Sequence, residues 1–120
     1  MVLVDTSVWI DHLRRADPHL QDLLRSGQVA MHPYVVGEIA CGSLANRSEL
    51  LALLQALPQA NVATHEEVMA LIERRSLHGK GLGLVDVHLL SSALLGHLPL
   101  WTRDKPLRQA ATVLQIAYTH

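Results

Sequence analysis

Phenylalanine is missing from the 120 residues, and only two tryptophans and two tyrosines stand in for it, so Leu, Val, Ile and Ala must fill the core. Cysteine is nearly missing as well. Cys41 stands alone, which excludes a disulfide within the chain and fits a reducing compartment. Neither sign of charge prevails: 10 Lys and Arg against 11 Asp and Glu leave a formal −1. No global basic field therefore attracts polyanions, and any nucleic-acid chemistry must arise at a local site. No apolar run approaches the roughly 18 residues that cross a membrane. The first strand begins at Val2, which leaves no room for a charged, cleavable leader. These absences point to a cytoplasmic protein, with residues 1–120 as one domain.

Other chemistries are excluded by missing patterns. Eight histidines are present, but none forms HExxH or another closely spaced pair, which argues against a zinc hydrolase. "HGKGLG" at 78–83 is neither a P-loop nor a dinucleotide fingerprint, and reads as a turn. A phosphatase that uses a strand followed by Asp-x-Asp fails at Ser7.

What is present alternates between strand and helix signals. Val2–Val4 reads as a strand, and Asp5 or Thr6 caps a helix through Trp9, Ile10 and Leu13. Asp17-Pro18 opens a second helix that Gly27 stops, and Gln28–His32 forms the next strand. A helix runs from about Tyr34 through Glu38 to Cys41, with Cys41 as a small core residue. Another follows with Ser48 as its cap, then a brief strand at Asn61–Ala63. Thr64 and Glu67 have the spacing of a capping box at the head of a long helix. Val85 or Asp86 starts the next helix, His97–Trp101 reads as a strand, Leu107–Ala111 as a short helix and Val113–Ala117 as a last strand. The expected class is α/β, built on a short, mostly parallel sheet.

In such a sheet ligands bind beyond the carboxyl ends of the strands. Asp5 follows the first strand, Glu38 lies early in the helix after the second, Asp86 opens the helix after the glycine loop, and Asp104 follows "LPLW". Taken singly, Asp5 and Asp86 read equally well as helix caps, Glu38 as a salt-bridge partner and Asp104 as a loop residue. Taken together, four acids at one edge repel one another unless a cation joins them. Hard oxygen ligands favour Mg²⁺ or Mn²⁺, ions that usually work on phosphates. Arg103, Lys105 and Arg108 flank Asp104 and read either as contacts to substrate phosphates or as a solvated or ion-paired face. His88, two residues past Asp86, turns away from it and reads as a surface or packing residue rather than a ligand. The leucines of 20–24 and 50–57 exceed what one buried stripe needs, and the excess suits a partner surface.

The stretches "VDTSVWIDHLR", "VVGEIACG", "GLGLVDVHLLSSAL" and "LWTRDKPLRQAA" resemble the PIN-domain nucleases, specifically the VapC toxins of bacterial toxin–antitoxin pairs. The likeness covers the whole chain. It implies a three-layer α/β/α fold and a ribonuclease that hydrolyses RNA through water activated by Mg²⁺ or Mn²⁺. It assigns the metal-holding, catalytic positions to Asp5, Glu38, Asp86 and Asp104, with Thr6, Ser7 and Thr102 as supporting hydroxyls. It also implies a homodimer and a cognate antitoxin. A catalytically silent PIN-like binding module and another acidic-site phosphohydrolase are the competing readings.

Overall fold

The computed structural model describes residues 1–120. The elements run β1 (Val2–Val4), α1 (Thr6–Arg14), α2 (Pro18–Arg25), β2 (Val29–Ala30), α3 (Pro33–Ala40), α4 (Arg47–Gln55), α5 (His65–Arg75), α6 (Leu84–Gly96), β3 (Leu100–Trp101) and α7 (Lys105–Val113). The sheet has the order β2-β1-β3 and is parallel throughout. Val2 and Leu3 register with Val29 and Ala30 on one side; Leu3 and Val4 register with Leu100 and Trp101 on the other. Single bridges, Met31 to Gln59 and Leu100 to Ala117, widen it at both edges.

β1 is central, and its three residues are buried on both faces, as expected of an uninterrupted apolar strand in a parallel sheet. The chain leaves β1 for a neighbour on one side and later adds β3 on the other. Strand order therefore reverses at the carboxyl end of β1, where a crevice forms in a parallel sheet. Helices cover both faces, giving a three-layer α/β/α domain. α1 packs on α3 and α3 on α4, while α5 packs on α6, which also meets β3.

One cluster of 28 buried residues forms the core. α6 is its central helix: Val87 through Ala93 are all buried, so the helix is enclosed around nearly its whole girth. No helix is long and apolar enough to cross a membrane.

Several boundaries differ from expectation. Asn46, in the left-handed region at φ 51°, caps α4 in place of Ser48. Asn61–Ala63 forms no strand; pairing beside β2 is confined to Gln59. Val113 ends α7, so only Ala117 pairs with β3 where a five-residue strand was expected. Cys41 is exposed, because it follows the last turn of α3 on the face opposite Val35, Val36 and Ile39.

Candidate active site

Asp5 follows directly on β1 and is the N-cap of α1. Its carboxylate is buried, so burial demands compensation. Oδ2 accepts from Ser7 Oγ at 2.7 Å, from Thr102 Oγ1 at 2.8 Å and from Ser7 N at 3.3 Å. Those hydroxyls also organise the loop after β3: Arg103 N donates to Ser7 Oγ at 3.0 Å, and Asp104 N to Thr102 Oγ1 at 3.1 Å. Ser7 and Thr102 thus tie the ends of two neighbouring strands to one carboxylate.

Glu38 stands one turn into α3, and Thr6 Oγ1 donates to its Oε1 at 2.7 Å. Asp86 occupies the third position of α6, where Gly83 N donates to Oδ2 at 2.9 Å. Asp104 caps α7, with Leu107 N donating to Oδ2 at 3.1 Å. Asp5 and Asp104 are N-caps, Asp86 bonds back to the N-cap backbone of its helix, and all three share the carboxyl edge; the two readings coexist. A cap uses one oxygen. Asp5 Oδ1, Glu38 Oε2, Asp86 Oδ1 and Asp104 Oδ1 take no hydrogen bond from the protein.

The electrostatics link the four acids. Asp86 is pushed above the ordinary carboxylate range, first by desolvation at the head of the enclosed helix, against which the Gly83 hydrogen bond acts. The charges of Asp5, Asp104 and Glu38 raise it further. Mutual repulsion across four segments, each with an oxygen to spare, suits a hard divalent cation in donor chemistry. The side chains stand open: no three of the His, Cys, Asp and Glu groups are gathered closely enough to grip an ion as they are.

The basic residues divide. The Arg103 guanidinium is held by Asp11 Oδ2 at 2.8 Å and Asp17 Oδ2 at 2.6 Å, and its carbon lies 5.5 Å from the centre of the Trp101 ring. Of the two readings of Arg103, the geometry shows the ion-paired one. Lys105 and Arg108 are exposed on α7 and make no salt bridge. Asp11 and Asp17 were not legible as parts of this arrangement, since nothing in local spacing links them to a residue more than 80 positions away. The Gly83–Asp86 contact was legible in principle from its three-residue, capping-box spacing.

Of the surface and packing readings of His88, the structure shows packing: the ring is buried on α6, and its Nδ1 has no partner. It meets Tyr34 edge-on, with ring centres 4.7 Å apart. His32 is fully buried between Tyr34 N, which donates to Nδ1 at 3.0 Å, and Ser92 Oγ, 3.1 Å from Nε2. Burial pushes its pKa down to about 4, with His88 adding to the effect, so the ring is neutral.

A parallel α/β/α sheet with carboxylates from four segments at its carboxyl edge defines a class of acidic-site domains. Residues 2–113 match the model of the PIN domain, and the chain belongs to the PIN-domain family. It is 51% identical over 118 residues to Ribonuclease VapC32 of Mycobacterium tuberculosis, in both the CDC 1551 and H37Rv strains, covering 98% of this chain and 95% of that protein. A toxin–antitoxin complex from Klebsiella pneumoniae contains a similar chain, with a TM-score of 0.64 and 23% identity over 87% of each, a likeness of fold.

Proposed function

We propose that the chain is an endoribonuclease acting as the toxin of a toxin–antitoxin pair. Asp5, Glu38 and Asp86 hold a divalent cation, Mg²⁺ or Mn²⁺, and Asp104 completes the site. The observation that supports this reading is that Ser7 and Thr102 tie the ends of β1 and β3 to the buried Asp5 carboxylate, with Asp86 near enough to feel the charges of Asp5, Asp104 and Glu38. The ribonuclease named VapC32, at 51% identity over nearly the full length, supports the substrate class.

A bound divalent cation supplies positive charge beside the phosphate and makes water a stronger acid. The chain's own residues set the stage for it. Ser7 and Thr102 pin Asp5, and Thr6 pins Glu38, so neither carboxylate must be ordered when a ligand arrives. Lys105 and Arg108 contact phosphates of the RNA, and the site stays local in a protein of nearly zero net charge. A cognate antitoxin and a second copy of the chain are the proposed protein partners, meeting leucines such as Leu53, which is 62% exposed.

The test is cleavage of a structured RNA pool by the protein free of antitoxin, in Mg²⁺ or Mn²⁺ and in EDTA. Cutting is expected only with metal, and Asp5→Asn is expected to lower it at least 100-fold, in the range seen when a positioned catalytic group is lost (about 10²–10⁴). Attack by water leaves 5′-phosphate and 3′-hydroxyl ends. Ends carrying a 2′,3′-cyclic phosphate would mean that the RNA's own hydroxyl attacks, and would overturn the mechanism.

A further inference from the structure

An edge built of carboxylates offers a phosphate chain little attraction of its own until a cation is bound. A strand entering it gains from attachment that does not depend on charge, and a base stacked on an aromatic ring supplies that. The chain offers few such rings: two Trp, two Tyr and no Phe. Trp9 and Trp101 are buried. Tyr118 is half-buried, its hydroxyl 2.6 Å from His19 Nε2 and its ring stacked with those of His19 and His120. Of these four rings Tyr34 alone is open, at 41% exposure.

Its position bears on the site. Tyr34 lies in the first turn of α3, four residues before Glu38, so the two share a helix face. One turn of rise, about 6 Å, separates the two along the helix, with Tyr34 at the end where the chain enters α3 from β2. The ring is propped from beneath. It stands at 70° to His88, 4.7 Å away, and at 64° to His32, 5.2 Å away, and both histidines are buried. His32 is fixed by Ser92 and by the Tyr34 backbone, and His88 rides on α6. The helices that carry Glu38 and Asp86 therefore hold the ring between them. The Tyr34 hydroxyl bonds to no protein group, so the ring is not kept there by a polar contact of its own.

We propose that Tyr34 is a stacking platform for a nucleobase of single-stranded RNA, adjoining the carboxylates that process the strand. A ring already fixed in place loses little freedom when a base arrives. The inference rests on the ribonuclease reading for its ligand, but its test does not depend on cleavage.

Fluorescein-labelled oligoadenylate of 12 nucleotides, and a chain of the same length made of abasic ribose-phosphate units, are titrated by anisotropy against Asp5→Asn protein. The base-bearing RNA is expected to bind at least about tenfold more tightly than the abasic chain. Tyr34→Leu keeps apolar bulk over His88 but removes the flat face, and is expected to erase that preference; Tyr34→Phe keeps it. With Asp5 intact, the same substitution is expected to raise KM about tenfold and leave kcat within twofold. Equal affinity for the two chains, no binding of the base-bearing RNA, or a preference that survives Tyr34→Leu overturns the proposal. If the Tyr34 effect on binding is found and no RNA is cut, the stacking site stands and the nuclease reading falls. If RNA is cut and the preference is absent, the reverse holds.

Discussion

At the scale of single residues, the fold asks some polar groups to be neutral and others to be charged in places that disfavour it. His32 is the neutral case. Its ring caps α3 and reaches Ser92 in the core, and its pKa is held near 4, below the ordinary value of 6.5, chiefly by desolvation. In the unfolded chain the same ring takes up a proton as pH falls through 6.5. The unfolded state then binds more protons, so stability is complete above pH 6.5 and is lost progressively down to about 4. The loss amounts to roughly 3 kcal/mol at most. His88, lowered by desolvation and by His65, acts in the same direction. Urea unfolding of His32→Asn should show stability lower by about 1–3 kcal/mol at pH 7 and a flatter slope between pH 6.5 and 4. An unchanged slope would place the acid sensitivity elsewhere.

At the scale of elements, the segment between β3 and α7 does the most. Thr102 bonds to Asp5, the Arg103 backbone to Ser7, and Asp104 starts α7. Outside this turn, the Arg103 guanidinium spans Asp11 at the end of α1 and Asp17, the cap of α2. These are partly exposed pairs, so Arg103→Met should cost only about 1 kcal/mol of stability. Its effect on cleavage should be larger, because the turn that positions Thr102 and Asp104 loses its outer tether. The expected result is kcat lower by several-fold, with KM and its salt dependence unchanged. A rise in KM that steepens with salt would show instead that Arg103 grips phosphate.

The same segment shows what was legible in the residues and what was not. The pairing of a short strand with Asp104 was readable, because "LPLW" is apolar and "TRDKP" is not. The cap and proline signals of Asp17-Pro18 and Thr64–Glu67 likewise fell where expected, since both act within one turn of chain. Strand lengths were not readable. Val113 and Ile116 have strand character, yet Val113 completes a turn of α7, and tertiary packing overrides propensity over so few residues. The Arg103 clamp was beyond reach for the same reason that it is useful: it joins segments far apart in the chain.

At the scale of the whole molecule, the topology concentrates unfavourable charge at one place. The switch in strand order puts Asp5 at the carboxyl end of the central strand, and the first turn of the largely buried α6 carries Asp86. Because Asp86 is raised in the folded protein, it binds a proton more readily there than in the unfolded chain. Above its unfolded value the carboxylate therefore weighs against folding, and this cost fades as pH falls. A domain arranged in this way should be stabilised by whatever neutralises the edge. Two changes do so by different routes. Asp86→Asn keeps an oxygen for the Gly83 hydrogen bond and removes one charge, so in EDTA at pH 7.5 its melting temperature should exceed that of the parent by a few degrees, the shift of about 1 kcal/mol in a domain of this size. Mn²⁺ at 100 times its dissociation constant should stabilise the parent by about 2.7 kcal/mol if, as proposed, the ion is held by the folded chain alone. The two effects should not add: in Asp86→Asn the Mn²⁺ shift should shrink by more than half. A full Mn²⁺ shift in that variant would mean that the ion sits away from this edge, and a variant less stable than its parent in EDTA would mean that the Asp86 charge is compensated by the protein alone.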